Sequence, residues 1–127
     1  MDISAEITPT GFTEHYISDG VYARVFHIRA GDIVMGAKHL TTHMNILLNG
    51  KCYISIDGDI RLMKAPYFFE ALKNSRKIAY AITDMQIVNI IPTDKTSVED
   101  IENEVVDYTL PDCVEDLLKP LKLLKGV

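Results

Sequence analysis

Between Gly31 and Gly50 four polar side chains recur at every second position: His39, Thr41, His43 and Asn45. Alternate residues of a β-strand project from one face, so a strand over 38–48 sets two imidazoles, a hydroxyl and an amide on a common wall. Imidazole is the commonest transition-metal ligand and the group best suited to proton transfer near neutral pH. Two of them in an otherwise apolar stretch are costly to bury unless something binds them. The spacing therefore offers a divalent metal site, or metal-free acid/base work and anion binding. The third arrangement has no chemistry: both histidines line a core and are satisfied by Thr41, Asn45 or a water.

The elements that position these residues read as a succession of short strands. Asp19-Gly20 precedes a strand over 21–28, and Ala30-Gly31-Asp32 turns the chain into the histidine-bearing strand. Asn49-Gly50 is a two-residue hairpin signal, so residues 51–57 are expected to run back antiparallel against 38–48. Asp57-Gly58 repeats the device, Pro66 leads into the aromatic run Tyr67-Phe68-Phe69, and strands follow over 76–83 and 85–92. Strands at this spacing, joined by tight turns, predict an all-β antiparallel sandwich or barrel. After Thr93 the pattern becomes helical. Ser97 opens a capping box for a short helix to 105, and a second helix is expected from Pro111, with Val114, Leu117, Leu118, Leu121 and Leu124 on one face and Pro120 kinking it. The domain expectation is a barrel with a closing helix over 1–105 and a helical appendage over 106–127, covering the barrel or a second copy in a homodimer.

Composition removes several function classes. Thirteen basic against eighteen acidic residues give a formal charge of -5, the wrong sign for a phosphate-backbone binder, so no nucleic-acid partner is expected. Residues 1–11 have no basic start, apolar run or cleavage-site pattern, so no signal peptide is expected. No apolar run approaches the ~20 residues that span a bilayer, so no membrane partner is expected. Cys52 and Cys113 are too few for a disulfide framework and read as inert core thiols in a reducing cytoplasm.

The order of strand, Gly31, histidine strand, Gly50 and proline-led strand resembles the cupin β-barrel (the double-stranded β-helix or jelly roll). Its first motif, G-x5-H-x-H-x3-4-E-x6-G, is met by Gly31, His39 and Gly50, with Ala37 in place of the first histidine and His43 in place of the glutamate. In the second motif, G-x5-P-x-G-x2-H-x3-N, Pro66 fits, Phe68 replaces the glycine and Ala71 the third histidine, with Glu70 beside it. Residues 19–105 further resemble small cupin-like proteins of tailed-phage genomes, through Gly31, Gly36, His39, His43, Asn45, Pro66, Arg76-Lys77 and Tyr80-Ala81. That resemblance implies a cupin-like barrel in the cytoplasm of a bacterial host and assigns no reaction.

The candidate site follows. His39 and His43 are the expected ligands of a divalent transition metal (Fe, Mn, Ni or Zn), with Glu70 the third on motif position, although alternation aims Glu70 at the opposite face unless a bulge intervenes. Tyr80 and Arg76 are the expected catalytic contacts to substrate. They share strand parity, so if Tyr80 points inward Arg76 and Ile78 do too, and Lys77 points away. Asn45 and Thr41 are expected to orient a ligand. His27 reads as a satisfied half-buried residue, His15 as solvent-exposed, and Glu99, Asp100, Glu102 and Glu104 as a solvated helix face. The leading expectation is a metal-dependent enzyme acting on a small molecule in the barrel. The alternatives are a non-catalytic cupin that binds or sequesters a small ligand, and a phage structural or host-interaction protein that uses the barrel as scaffold.

Overall fold

The computed structural model describes residues 11–126 in full and the backbone of 2–8. Strands β1 (Asp2–Thr8), β2 (Gly11–Ser18), β3 (Val21–Ile28), β4 (Ile33–Met35), β5 (Lys38–His39) and β6 (His43–Asn49) are followed by β7 (Lys51–Ile56), β8 (Asp59–Lys64), β9 (Tyr67–Ala71), β10 (Lys77–Ala81) and β11 (Met85–Pro92). Helix α1 (Val98–Val105), the short β12 (Val106–Asp107) and helix α2 (Val114–Lys125) complete the chain. Six strands form one sheet in the order β1-β2-β3-β11-β6-β9, four form a second in the order β4-β10-β7-β8, and β12 pairs with β5. All pairings are antiparallel.

The histidine stretch is not one strand. β5 ends at His39, a bend occupies 40–42, and β6 begins at His43. Nor do Asn49 and Gly50 close a hairpin, because β6 lies in the large sheet and β7 in the small one. Gly50 is instead a corner between sheets: its φ is +92°, and a Cβ there would lie 2.3 Å from the Asp84 carbonyl oxygen. Two-residue hairpins do close at Asp19-Gly20, between the paired Ser18 and Val21, and at Asp57-Gly58, whose φ of 49° and 90° lie between the paired Ile56 and Asp59.

Apolar contacts fill the space between the sheets at one end, where Ile28, Leu47, Cys52, Ile54, Met63 and Met85 are buried together. At the other end Ile17, Tyr22, Ile91, Ile101 and Val105 form a second cluster that includes the inner face of α1. Ser97 caps α1 by accepting from the Asp100 amide at 3.2 Å. Helix α2 starts at Val114 rather than Pro111 and runs unbroken through Pro120; Cys113, expected in the core with Cys52, is exposed just before its first turn. The fully buried Leu121 anchors it against β4 and β10, which offsets the hydrogen bond that proline removes, and Leu124 is exposed. Among the described residues no helix is long and apolar enough to cross a membrane.

Candidate functional site

Register across the large sheet builds one polar row on its inner face. His15 of β2 is opposite Arg24 of β3, Arg24 opposite Asn89 of β11, Asn89 opposite Asn45 of β6, and Asn45 opposite Phe69 of β9. The four polar members of this row are each 5% exposed or less. His15, expected at the surface, is buried because β2 is an interior-facing strand, and its Nδ1 lies 2.5 Å from the Tyr22 hydroxyl. The row faces a cavity of about 320 Å³ between the sheets. Val34, Lys77 and Ala79 line the opposite wall, and Glu102, Tyr108 and Leu110 stand at the open end.

His39 lines this cavity, and His43 stands against it with ring centroids 4.4 Å apart and planes inclined at 47°. The backbone of His39 is pinned on both sides, its N–H donating to the Ser75 carbonyl and its carbonyl accepting from the Asn74 amide. That fixes the side chain inward despite the bend that follows. His43 Nδ1 donates to the Thr41 carbonyl at 3.2 Å, which leaves Nε2 as an acceptor aimed into the protein. Thr41 therefore contributes its backbone to the histidine pair from the bend, and not a side chain from the same strand. Burial, then the Lys77 charge, push His39 down to about 2 and His43 down to about 4, so both imidazoles are neutral at physiological pH.

Lys77 carries the strongest signal. Its terminal nitrogen is buried without a hydrogen-bonding partner and reaches across the barrel to within 6.0 Å of the Phe69 ring on the facing sheet. Burial, assisted by the Arg24 charge, lowers it to about 7. Arg24 is buried beside it, stacked over Phe26 at 4.6 Å and held by Glu102 through a long 3.4 Å contact. Glu102 thus guards the cavity mouth and is not part of a solvated helix surface. Arg24 Nε, His39 Nδ1, Lys77 Nζ and Asn89 Oδ1 are buried without hydrogen-bonding partners among the described residues, and all four residues line the cavity. Each such group costs about 1–3 kcal/mol unless a ligand or water meets it, which makes this chamber the candidate binding site.

The remaining expected residues lie elsewhere. Glu70 is exposed on the outer face of β9, next to Met44; Ala71, on the inner face, is the residue opposite His43, and no bulge re-aims the carboxylate. Tyr80 is on the outer face of the small sheet, stacked on Tyr53 at 6.2 Å, because Lys77 and Ala79 are the inward residues of β10. Arg76 precedes β10 at the cavity edge, where it donates to the Thr109 carbonyl at 2.8 Å. The inward parity of β10 is therefore the reverse of the one on which Tyr80 and Arg76 were chosen. Its outer residues Ile78 and Tyr80 look like core because α2 covers that face. His27 is on the outer face of β3, 2.7 Å from Glu14 and stacked on Phe12.

A metal shell is not assembled from these side chains. Among the described residues no group of three His, Cys, Asp or Glu converges. His39 and His43 supply two nitrogens, Ala37 and Ala71 supply none, Glu70 is turned away, and the nearest charges are the cations Lys77 and Arg24, which repel a dication. The residues present do not fit a divalent ion held by protein alone.

No protein-family model matches the chain, and no curated protein matches it. Solved structures do. KdgF from Halomonas sp. superposes with a TM-score of 0.58 at 13% identity over 80% of this chain and 93% of that one. An RmlC-like cupin from Shewanella frigidimarina gives 0.61 at 16% identity, over 79% and 87%. Salicylate 1,2-dioxygenase from Pseudoaminobacter salicylatoxidans gives 0.62 at 13% identity over 80% of this chain, which spans 28% of that enzyme. With its two antiparallel sheets enclosing a polar chamber, the chain has the cupin jelly-roll fold.

Proposed function

We propose that the barrel takes up a small organic anion with a carboxylate group, held by Lys77 and Arg24 beside the neutral side chains of His39 and Asn89. The observation that carries this reading is the Lys77 ammonium nitrogen, buried in the cavity wall with no hydrogen-bonding partner among the described residues. A buried cation without a counter-ion is strongly disfavoured, and a ligand carboxylate supplies one. Arg24 offers a second cation, held by Glu102 through a long contact, whose Nε has no partner among the described residues. A cavity of about 320 Å³ suits a compact molecule, not a nucleotide or a polymer. A divalent ion is the weaker reading here, since the same two cations oppose it and the third ligand is missing.

The test is calorimetric titration of malonate into the wild type and the Lys77→Met variant. Saturable one-to-one binding in the wild type, lost in the variant, is the expected result. Equal binding in both, or none in the wild type, overturns the reading.

A further inference from the structure

We propose that Lys77 is a covalent attachment point: its ε-amine condenses with the carbonyl of a small oxo acid seated in the barrel and forms an imine. The proposal rests on the anion-binding reading and narrows it to acids that carry an aldehyde or ketone.

The geometry points this way for three reasons. Lys77 presents its terminal nitrogen inside the barrel, across from Phe69, where among the described residues no carboxylate neutralises it and no acceptor occupies its donors. A structural lysine on such a wall would have an acid beside it; the acid lining this cavity, Glu102, is bonded to Arg24. Arg24 stands on the facing sheet, in the polar row, where its guanidinium can hold the carboxylate while the carbonyl meets the amine. The apolar lining from Phe26, Val34 and Ala79 limits the free water that reverses imine formation. Burial also keeps a large fraction of the amine uncharged at neutral pH, as a nucleophile requires.

The chemistry balances without an oxidant or reductant. The amine lone pair attacks the carbonyl carbon, the carbon–oxygen π pair moves to oxygen, and one of the two amine protons passes to that oxygen. The second amine proton then passes to the hydroxyl, which leaves as water, and a carbon–nitrogen double bond remains.

The experiment incubates the protein with pyruvate, and separately with glyoxylate, in the presence of cyanoborohydride, which reduces an imine to a stable secondary amine. One adduct per chain is expected, with the mass of the probe less one oxygen atom. It should map to the peptide containing Lys77, be suppressed by excess malonate, and be absent in Lys77→Met and in Lys77→Arg. A cooperative thermal melt of both variants shows that loss of the adduct is not loss of the fold. Adducts spread over surface lysines and unchanged in both variants overturn the proposal. Malonate binding in the wild type without any adduct overturns the imine and leaves the anion site standing; failure of both overturns the two together.

Discussion

Asn89 Nδ2 donates to Asn45 Oδ1 at 2.6 Å, joining β11 to β6 through two fully buried amides at the centre of the large sheet. This bond orients both amides: Asn45 spends its acceptor on the neighbouring strand, and Asn89 keeps its own carbonyl oxygen for the cavity. Asn45, behind the chamber wall, thereby holds Asn89, which lines it.

Truncating Asn89 to Ala leaves the Asn45 oxygen buried and unpaired, and is expected to cost about 1–3 kcal/mol. Asn45→Ala should cost a similar amount, and the double variant less than the two together, by about 1 kcal/mol. Urea unfolding of the four proteins checks it; strict additivity would refute the bond's role.

Lys77→Met replaces a buried, unpaired amine by an apolar chain of similar length. It is expected to raise stability by about 1–4 kcal/mol while abolishing malonate binding. Thermal melting with and without malonate reads both effects. A less stable variant would mean that Lys77 is satisfied in a way the cavity geometry does not contain.

The pH dependence of stability follows from the depressed values. His39 and His43 titrate at about 2 and about 4 when folded and near 6.5 when unfolded, so between about 4 and 6.5 the unfolded chain binds more protons and stability rises with pH. That contribution is complete above 6.5 and is lost as acid is added. Lys77 has the same sign at higher pH: folded near 7 and unfolded near 10.5, it makes stability rise again between those values. Denaturant midpoints measured from pH 4 to 10 should show both limbs, and the upper one should vanish in Lys77→Met.

Glu102 competes with a ligand carboxylate for Arg24 across a 3.4 Å contact. Glu102→Gln is expected to tighten malonate binding about fivefold, roughly 1 kcal/mol, at little cost in stability. Weaker binding in that variant would assign Glu102 to the ligand itself.

Metal content separates the anion reading from a metal-dependent one. Elemental mass spectrometry of protein purified without added metal is expected to find no stoichiometric iron, manganese, nickel or zinc. Near-stoichiometric metal that disappears in the His39→Ala, His43→Ala double variant would overturn the anion reading and restore a metal centre completed by something other than Glu70.

Local patterning was enough to specify most strands, the cap of α1 and the importance of the two histidines. Val21–Ile28, Lys51–Ile56 and Met85–Pro92 are β-branched or aromatic runs between turn residues, and that chemistry acts over a few neighbours. The jelly-roll architecture was legible through the glycine and histidine spacing that resembles cupins. Sheet membership was not. Asn49-Gly50 reads locally as a hairpin, but contacts with Asp84 and Met85, more than thirty residues away, make Gly50 a corner. The inward face of β10 was equally hidden, because Lys77, Ala79 and Ala81 look like the solvent side until α2 is known to cover Ile78 and Tyr80. Arg24 sits in a strand that is apolar on both faces, so alternation alone gave it no direction. Periodicity reports which residues share a face; which face is enclosed depends on what packs against it. For this chain that choice gives the inward positions of β10 to Lys77 and Ala79 and turns Tyr80 outward.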